Sequence, residues 1–222
     1  MTLAIVVPVK SPRRAKNRLS ALLSETERFQ LASAMARDVF RSVRELDVDL
    51  RLVVSDDSDV LDEARGYGLE TLVDRVRQGQ SAAVQQGFSL AWDRGFSGAL
   101  TIPGDVPGVT GAELRELAEY RPEIEALLVT DRDRVGTNGL RLTPPHAIVL
   151  RFGEDSFRLH RDEAARANRS FAVLDVRGLQ VDLDRPEDAT AFMELGRPTE
   201  TLTLLSDLKV RERHLAGVPR RG

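Results

Sequence analysis

Apolar residues fall along this chain in two alternating patterns, short continuous runs and longer stripes with the spacing of one helix face. The runs are rich in β-branched residues and predict buried strands at residues 3–9, 50–54, 69–73 and 99–102. Stripes with the helical period lie between them and predict amphipathic helices. Strands that alternate with helices at this spacing indicate βαβ units in a mostly parallel sheet.

Two helix starts are marked by capping boxes, in which a hydroxyl residue and a glutamate three positions later each bond the other's backbone amide. Ser24 with Glu27 begins a helix whose apolar stripe continues to Val43, and Thr110 with Glu113 begins one over 110–120. Further helical stripes are predicted over 60–67, 82–94 and 156–167.

The second half of the chain is less regular, which predicts a mixed sheet. Strands are expected at 126–130, 139–142, 147–152, 171–176 and 181–183. A helix is expected to start at Pro186 with Asp184 as its cap, and the tail from Arg197 has one more weak helical pattern before a basic end. We therefore predict one three-layer, Rossmann-like α/β domain over 1–222, with a nucleotide-binding half (about 1–120), a second-substrate half (about 121–196) and a tail (197–222).

The composition narrows the possible chemistry. The chain has no cysteine and only three histidines, far apart, which excludes thiolate zinc sites and cysteine nucleophiles and disfavours histidine zinc sites. The formal net charge of −3 argues against a dedicated nucleic-acid binder. No stretch approaches the roughly 20 apolar residues of a membrane span, and no basic leader precedes the first apolar run. The sequence thus predicts a cytoplasmic globular protein that binds neither nucleic acid nor membrane.

A basic segment follows the first predicted strand, with five lysines and arginines within nine positions. A triphosphate needs fixed positive charges because its leaving pyrophosphate becomes more negative. Lys10, Lys16 and Arg18 are the candidates for this role, although a solvated surface loop explains such a charge run equally well. The glycine fingerprints of P-loop and dinucleotide-binding proteins are absent from the sequence.

Carboxylates lie within or directly after three of the predicted strands. Asp105, held between Pro-Gly and Val-Pro, is a candidate Mg²⁺ ligand or a simple turn residue. Asp182 and Asp184 are a second candidate pair, and in a strand they would point to the same face. The acidic cluster at 55–59 is better explained as a turn and helix cap than as a metal pocket.

Two glycine-containing segments, 135–139 and 152–157, lie between these carboxylates in the sequence. The second opens a predicted helix, whose first backbone amides form an anion site. The first adds a hydroxyl and exposed amides. Together they suit the carboxylate and phosphate of a small acid, although each is also ordinary turn chemistry.

The ordered motifs PVKSPRRAKNRL, GDVPG, GTNGLRLTPP, RFGEDSFRLH and VDLDRPEDA resemble the guanylyltransferase family of coenzyme F-420 biosynthesis, over about residues 3–195. The resemblance implies a GT-A-like nucleotidyltransferase fold and transfer of GMP from GTP to a small phospho-acid, with release of pyrophosphate. Phosphoenolpyruvate is favoured as the acid, with 2-phospho-L-lactate next and 3-phospho-D-glycerate as an alternative. The sequence also leaves open a CTP- or sugar-type nucleotidyltransferase and, from a different class of protein, a non-catalytic nucleotide-binding module.

The resemblance also implies residue roles. Lys16 and Asp105 match the catalytic positions, and two Mg²⁺ ions would be held by Asp105, Asp184 and Asp182. The triphosphate would bind Lys10, Lys16 and Arg18, and the phospho-acid would bind Thr137, Gly153 and Ser156. Gln80 and Ser81 would border the nucleoside, in a segment where many relatives have Leu-Asn-x-Ala instead. His160 matches a family histidine, although a packed, hydrogen-bonded role explains it equally well, and the sequence leaves a homodimer open.

Overall fold

Seven strands form one mixed sheet across residues 2–217, the part of the chain that the computed structural model describes. Their order is β3-β2-β1-β4-β6-β5-β7, and only β6 runs antiparallel to its two neighbours. The strands are β1 (Leu3–Pro8), β2 (Leu50–Ser55), β3 (Glu70–Val73), β4 (Gly98–Thr101), β5 (Ala126–Thr130), β6 (Thr137–Leu142) and β7 (Phe171–Val173).

Helices cover both faces of this sheet, which confirms the predicted three-layer α/β fold. One face packs against α1 (Glu25–Arg44), α2 (Ser58–Gly66) and α4 (Gly111–Glu119), and the other against α3 (Gln80–Asp93) and α5 (Ser156–Arg166). In β1 the side chains alternate between the two cores, with Ile5 in the first and Val6 in the second. Both faces of the strand are buried, as its unbroken apolar sequence predicts.

Three further helices follow the sheet: α6 (Pro186–Glu194), α7 (Glu200–Asp207) and α8 (Val210–Ala216). The tail thus holds two helices within its described part, where the sequence predicts one, and the basic end lies outside the described residues. Asp38 of α1 is buried, and its carboxylate accepts the backbone N–H groups of Glu200 and Thr201 at the start of α7. None of the helices within 2–217 has the length and apolar character that a membrane crossing needs.

Two predicted strands are wrong. Residues 147–152 contribute Ala147, Ile148 and Leu150 to the core, but they pair with no strand. The reason is that the N–H groups of Arg151 and Phe152 donate to side chains, His160 Nε2 and Ser81 Oγ, and not to a neighbouring strand. An apolar run predicts that a segment is buried. Whether the segment forms a strand depends on the groups to which its backbone N–H and C=O groups are hydrogen-bonded.

Residues 181–183 are also not a strand. The Leu183 N–H donates to the Asp105 carbonyl at 3.3 Å, but this single bond is not continued into a ladder with a neighbouring strand. The sequence predicts that Asp184 caps α6, and this prediction is wrong. The N–H groups of Asp184 and Arg185 instead donate to the carboxylate of Asp188. Both capping boxes are confirmed, Ser24 with Glu27 and Thr110 with Glu113.

Candidate active site

The candidate site lies at the carboxyl edge of the sheet, between β1 and β4. The chain passes from β1 outward to β2 and β3 and then returns to β4 on the other side of β1, which makes this crevice the switch point of the topology. Because β6 is antiparallel, its first residues lie at the same edge. The segments after β1 and β4 and the start of β6 therefore meet there.

Lys16 is the buried cation of this crevice. It has a left-handed backbone (φ 59°) between two 3₁₀ turns, Pro12–Arg14 and Asn17–Leu19, and its side chain is 5% exposed. Its Nζ donates to Asp105 Oδ2 at 2.8 Å and lies 3.9 Å from Asp184 Oδ1. The buried Leu19 belongs to an apolar cluster with Leu183, which anchors the loop beside the late aspartates.

Asp105 follows β4 in a tight segment. A Cβ atom at Gly104 would lie 2.7 Å from the Val9 side chain, so only glycine lets the segments after β1 and β4 approach this closely. Burial alone would raise the pKa of Asp105. The positive charges of Lys16 and Lys10 outweigh this effect and hold the pKa below its usual value, so the group is a carboxylate at neutral pH.

Asp182 and Asp184 approach the same centre from the loop before α6. Burial, and to a smaller extent the negative charge of Asp105, raise the pKa of Asp182 to about 6. Arg18 Nη1 donates to Asp184 Oδ2 at 2.7 Å from an exposed position. The structure therefore brings Lys16 and Arg18 together with Asp105, Asp182 and Asp184.

Asn138 is a site residue that the sequence did not single out. It is buried in β6, and its Nδ2 donates to the Leu179 carbonyl at 2.8 Å and to Asp182 Oδ1 at 3.3 Å. The amide thus orients the Asp182 carboxylate. Its position in the Gly-Thr-Asn-Gly segment was visible in the sequence, but its partner depends on the antiparallel placement of β6.

Metal ligation by these aspartates stays a prediction. Within residues 2–217 no three carboxylate, histidine or cysteine groups are arranged as a ready metal cage. The Lys16 ammonium instead lies between Asp105 and Asp184. The donor chemistry nevertheless suits Mg²⁺, which takes one or two carboxylates and completes its shell with water and substrate phosphates.

The predicted phospho-acid residues Thr137 and Ser156 lie in direct contact. The Thr137 N–H donates to Ser156 Oγ at 2.9 Å, and Thr137 Oγ1 is 3.0 Å from His160 Nδ1. Gly153 precedes α5 with φ 125°, a conformation open mainly to glycine. The Asp155 side chain does not cap the first turn of α5, and the Phe157 N–H of that turn donates to the Val135 carbonyl at 3.0 Å.

The predicted nucleoside residues Gln80 and Ser81 form the first turn of α3, after Gly79. Ser81 Oγ accepts the Phe152 N–H at 2.9 Å, so its hydroxyl already holds the segment that leads to Gly153. Lys10 is exposed beyond β1, and its charge acts on Asp105. The nucleoside contacts themselves stay predictions.

The acidic cluster at 55–59 is a helix cap, as favoured from the sequence. Asp57 accepts the backbone N–H groups of Asp59 and Val60 at the start of α2 and the hydroxyl of Ser11. A cavity of about 590 Å³ lies beside it, lined by Arg37, Glu63 and Glu200 among others. None of the predicted site residues lines that cavity.

Comparison with known proteins gives consistent matches over nearly the whole chain. The family described as guanylyl transferase CofC-like matches residues 3–217, which extends the predicted resemblance into the tail. A phosphoenolpyruvate guanylyltransferase from Rubrobacter xylanophilus is 37% identical over 192 residues, covering 85% of this chain and 92% of the relative. A 2-phospho-L-lactate guanylyltransferase from Methanothermobacter thermautotrophicus is 31% identical over 209 residues, covering 94% and 92%.

A solved structure supports the fold alone. A nucleotidyl transferase from Methanothermobacter thermautotrophicus superposes with a TM-score of 0.65 at 16% identity, covering 87% of this chain and 98% of the other.

Proposed function

This chain belongs to the family of CofC-like guanylyl transferases, and on that premise we propose that it transfers GMP from GTP to the phosphate of a small phospho-acid. A phosphate oxygen of the acid attacks the α-phosphorus of GTP, the bond to the β-phosphate oxygen breaks, and pyrophosphate leaves. The product is a guanosine-diphospho-acid, made for coenzyme F-420 biosynthesis. This enzymatic activity is favoured over a binding-only module because the named relatives are guanylyltransferases.

The observation that carries this proposal is the partly buried contact between Lys16 and Asp105 at the switch point of the sheet. A cation held there can neutralise the phosphates of GTP, and a carboxylate held there can bind a metal ion. Lys16, with Lys10 and Arg18 nearby in the loop, offsets the charge that develops on the leaving pyrophosphate. No residue needs to form a covalent intermediate, so positioning and charge neutralisation supply the catalysis.

We further propose that Asp105, Asp182 and Asp184 hold Mg²⁺, with two ions as the sequence predicts. Bound Mg²⁺ would neutralise phosphate oxygens and orient the triphosphate. Asp105 is charged at neutral pH and Asn138 holds Asp182 in place, so the chain presents hard oxygen donors on one side of the crevice. Direct binding of Mn²⁺, followed by its electron paramagnetic resonance, tests this without reference to turnover.

Phosphoenolpyruvate is our first choice of acid, because a relative named for it is 37% identical to this chain, whereas a relative named for 2-phospho-L-lactate is 31% identical. The cytoplasmic location and the homodimer stay predictions from the sequence.

A competition assay identifies the acid and tests the proposal. The protein is incubated with Mg²⁺, equal amounts of GTP, CTP and UTP, and equal amounts of phosphoenolpyruvate, 2-phospho-L-lactate and 3-phospho-D-glycerate, and the products are identified by mass spectrometry. We expect the guanylylated phosphoenolpyruvate to dominate. A dominant 2-phospho-L-lactate product would change the acid and keep the reaction, whereas product from CTP or UTP in preference to GTP would overturn the guanylyl assignment.

A further inference from the structure

His160 is fully buried on α5, and both of its ring nitrogens have partners. The backbone N–H of Arg151 donates to Nε2 at 2.9 Å. A backbone N–H can only donate, so Nε2 must be the unprotonated nitrogen of a neutral ring. The ring proton is therefore on Nδ1, where it points to Thr137 Oγ1 at 3.0 Å.

This tautomer determines the direction of two further hydrogen bonds. Thr137 Oγ1 accepts the proton of Nδ1, so its own hydroxyl proton is left to donate elsewhere. Ser156 Oγ accepts the Thr137 N–H at 2.9 Å, so its hydroxyl proton is likewise left to donate. Two neighbouring hydroxyls therefore keep their protons available to donate beside the first turn of α5, which the Asp155 side chain does not cap. Such hydroxyl donors suit a carboxylate or phosphate.

The surroundings keep the ring neutral. Burial lowers the pKa of His160 to about 4, although the nearby Glu163 carboxylate opposes the shift. The imidazole packs against the Phe152 ring in a T-shaped contact with 4.8 Å between the ring centres, and the Phe152 backbone N–H donates to Ser81 of α3. A protonated ring would place a hydrogen on Nε2 and break the bond from Arg151.

We propose that His160 is a positioning residue for the phospho-acid: its Nδ1–H bond commits the Thr137 hydroxyl to donate to an anionic group of that substrate. The inference rests on the proposed function. It assigns His160 no contact with the substrate and no proton transfer.

Two substitutions test the roles of the two ring nitrogens of His160 separately. In His160→Gln the amide lies where Nε2 lies, so it can accept the Arg151 N–H but cannot donate to Thr137. In His160→Asn the amide lies where Nδ1 lies, so it can donate to Thr137. We expect His160→Gln to raise the KM for phosphoenolpyruvate about 10-fold, the loss of one oriented hydrogen bond, with the KM for GTP changed less than about 2-fold. His160→Asn should stay within about 3-fold of the wild type for both substrates.

A double-mutant cycle with Thr137→Val separates positioning from packing. Valine keeps the shape of threonine without its hydroxyl, so His160→Gln should raise the KM for phosphoenolpyruvate no further in that background. An undiminished effect there, or an equal rise of both KM values, would overturn the inference. So would a loss in His160→Asn as large as that in His160→Gln.

Melting curves check that each variant folds. If His160→Gln does not fold, the comparison of Thr137→Val with His160→Asn decides: a raised KM for the acid in Thr137→Val alone supports the inference, and an equal rise in both overturns it. Wild-type protein that makes no product from GTP and any of the three acids contradicts the proposed function itself. An active wild type with an unchanged acid KM in His160→Gln contradicts only the role of His160.

Discussion

The Lys16 ammonium lies 2.8 Å from the Asp105 carboxylate and joins the segment after β1 to the segment after β4. These segments are 89 residues apart in the sequence, and the sheet brings them together because β1 and β4 are adjacent and parallel. The pair also explains why Asp105 stays ionised although burial disfavours its charge. It couples the predicted triphosphate loop to the predicted metal ligand.

Replacing Lys16 with Met should lower kcat/KM for GTP by about 10²–10³-fold, because a fixed charge at the leaving pyrophosphate is lost. Steady-state pyrophosphate release measures this. Arg14→Gln is the matched control, since Arg14 belongs to the same loop but pairs with Asp56 at the surface. An equal loss in both variants would mean that the general charge of the loop matters and that the buried position of Lys16 does not.

His160 should make the stability of the protein depend on pH. The pKa of His160 is about 4 in the folded protein and 6.5 in the unfolded chain, so above pH 6.5 its ring is neutral in both states. As the pH falls from 6.5 to 4, the unfolded chain takes up a proton that the fold excludes, and the free energy of unfolding falls by roughly 3 kcal/mol. Urea unfolding of wild type and His160→Gln across this range gives the difference, because the carboxylates are common to both. Parallel curves would contradict the buried neutral ring.

Arg141 should be a main stabilising residue of the second half. Its fully buried guanidinium donates to the carbonyls of Leu117, Ala118, Arg121 and Ile124, in and after the last turn of α4. Arg141→Met would leave these acceptors unsatisfied, and we expect a loss of about 3 kcal/mol or more in the free energy of unfolding.

The control for Arg141 is Arg94→Met, which removes a surface pair with Glu70 and should change the same quantity by less than about 1 kcal/mol. Similar losses in the two variants, measured by urea unfolding, would refute the role given to the buried guanidinium.

The first turn of α7 should depend on Asp38. Asp38→Ala removes the acceptor of the Glu200 and Thr201 amides, and we expect hydrogen exchange in α7 to speed up about 10-fold, corresponding to the loss of a helix cap. Asp62→Ala, which removes a surface pair on α2, should leave α7 unchanged. Unchanged exchange in Asp38→Ala would show that the Thr199 cap and apolar contacts hold α7 without Asp38.

The sequence predicts those parts of the fold that depend on local chemistry. Ser24 and Thr110 cap their helices because the partner of each is three residues away. Residues 147–152 and 181–183 could not be predicted correctly. Their burial is visible in the sequence, but the groups that take up their amides, such as the side chains of His160 and Ser81, are not. The start of α7 combines both kinds of contact: Thr199 caps it locally, whereas the amides of Glu200 and Thr201 donate to Asp38, 162 residues before Glu200.

The candidate site was predictable as a set of segments, because chain order and strand ends indicate which loops share the sheet edge. Its internal contacts were not. Asn138 meets Asp182 only because β6 runs antiparallel beside β4, and the tautomer of His160 follows from an amide nine residues away.

Pyrophosphate release from GTP by wild type and Asp105→Asn, with and without phosphoenolpyruvate, tests the central claim most directly. Asparagine keeps the size of aspartate and removes the charge that pairs with Lys16. In the wild type we expect pyrophosphate release that depends on phosphoenolpyruvate. In Asp105→Asn the rate of release should fall at least about 10³-fold. Asp133→Asn, a substitution at an exposed position, is the control that should stay active. A folded Asp105→Asn that keeps most of the wild-type rate would contradict the assignment of Asp105 to the reaction centre.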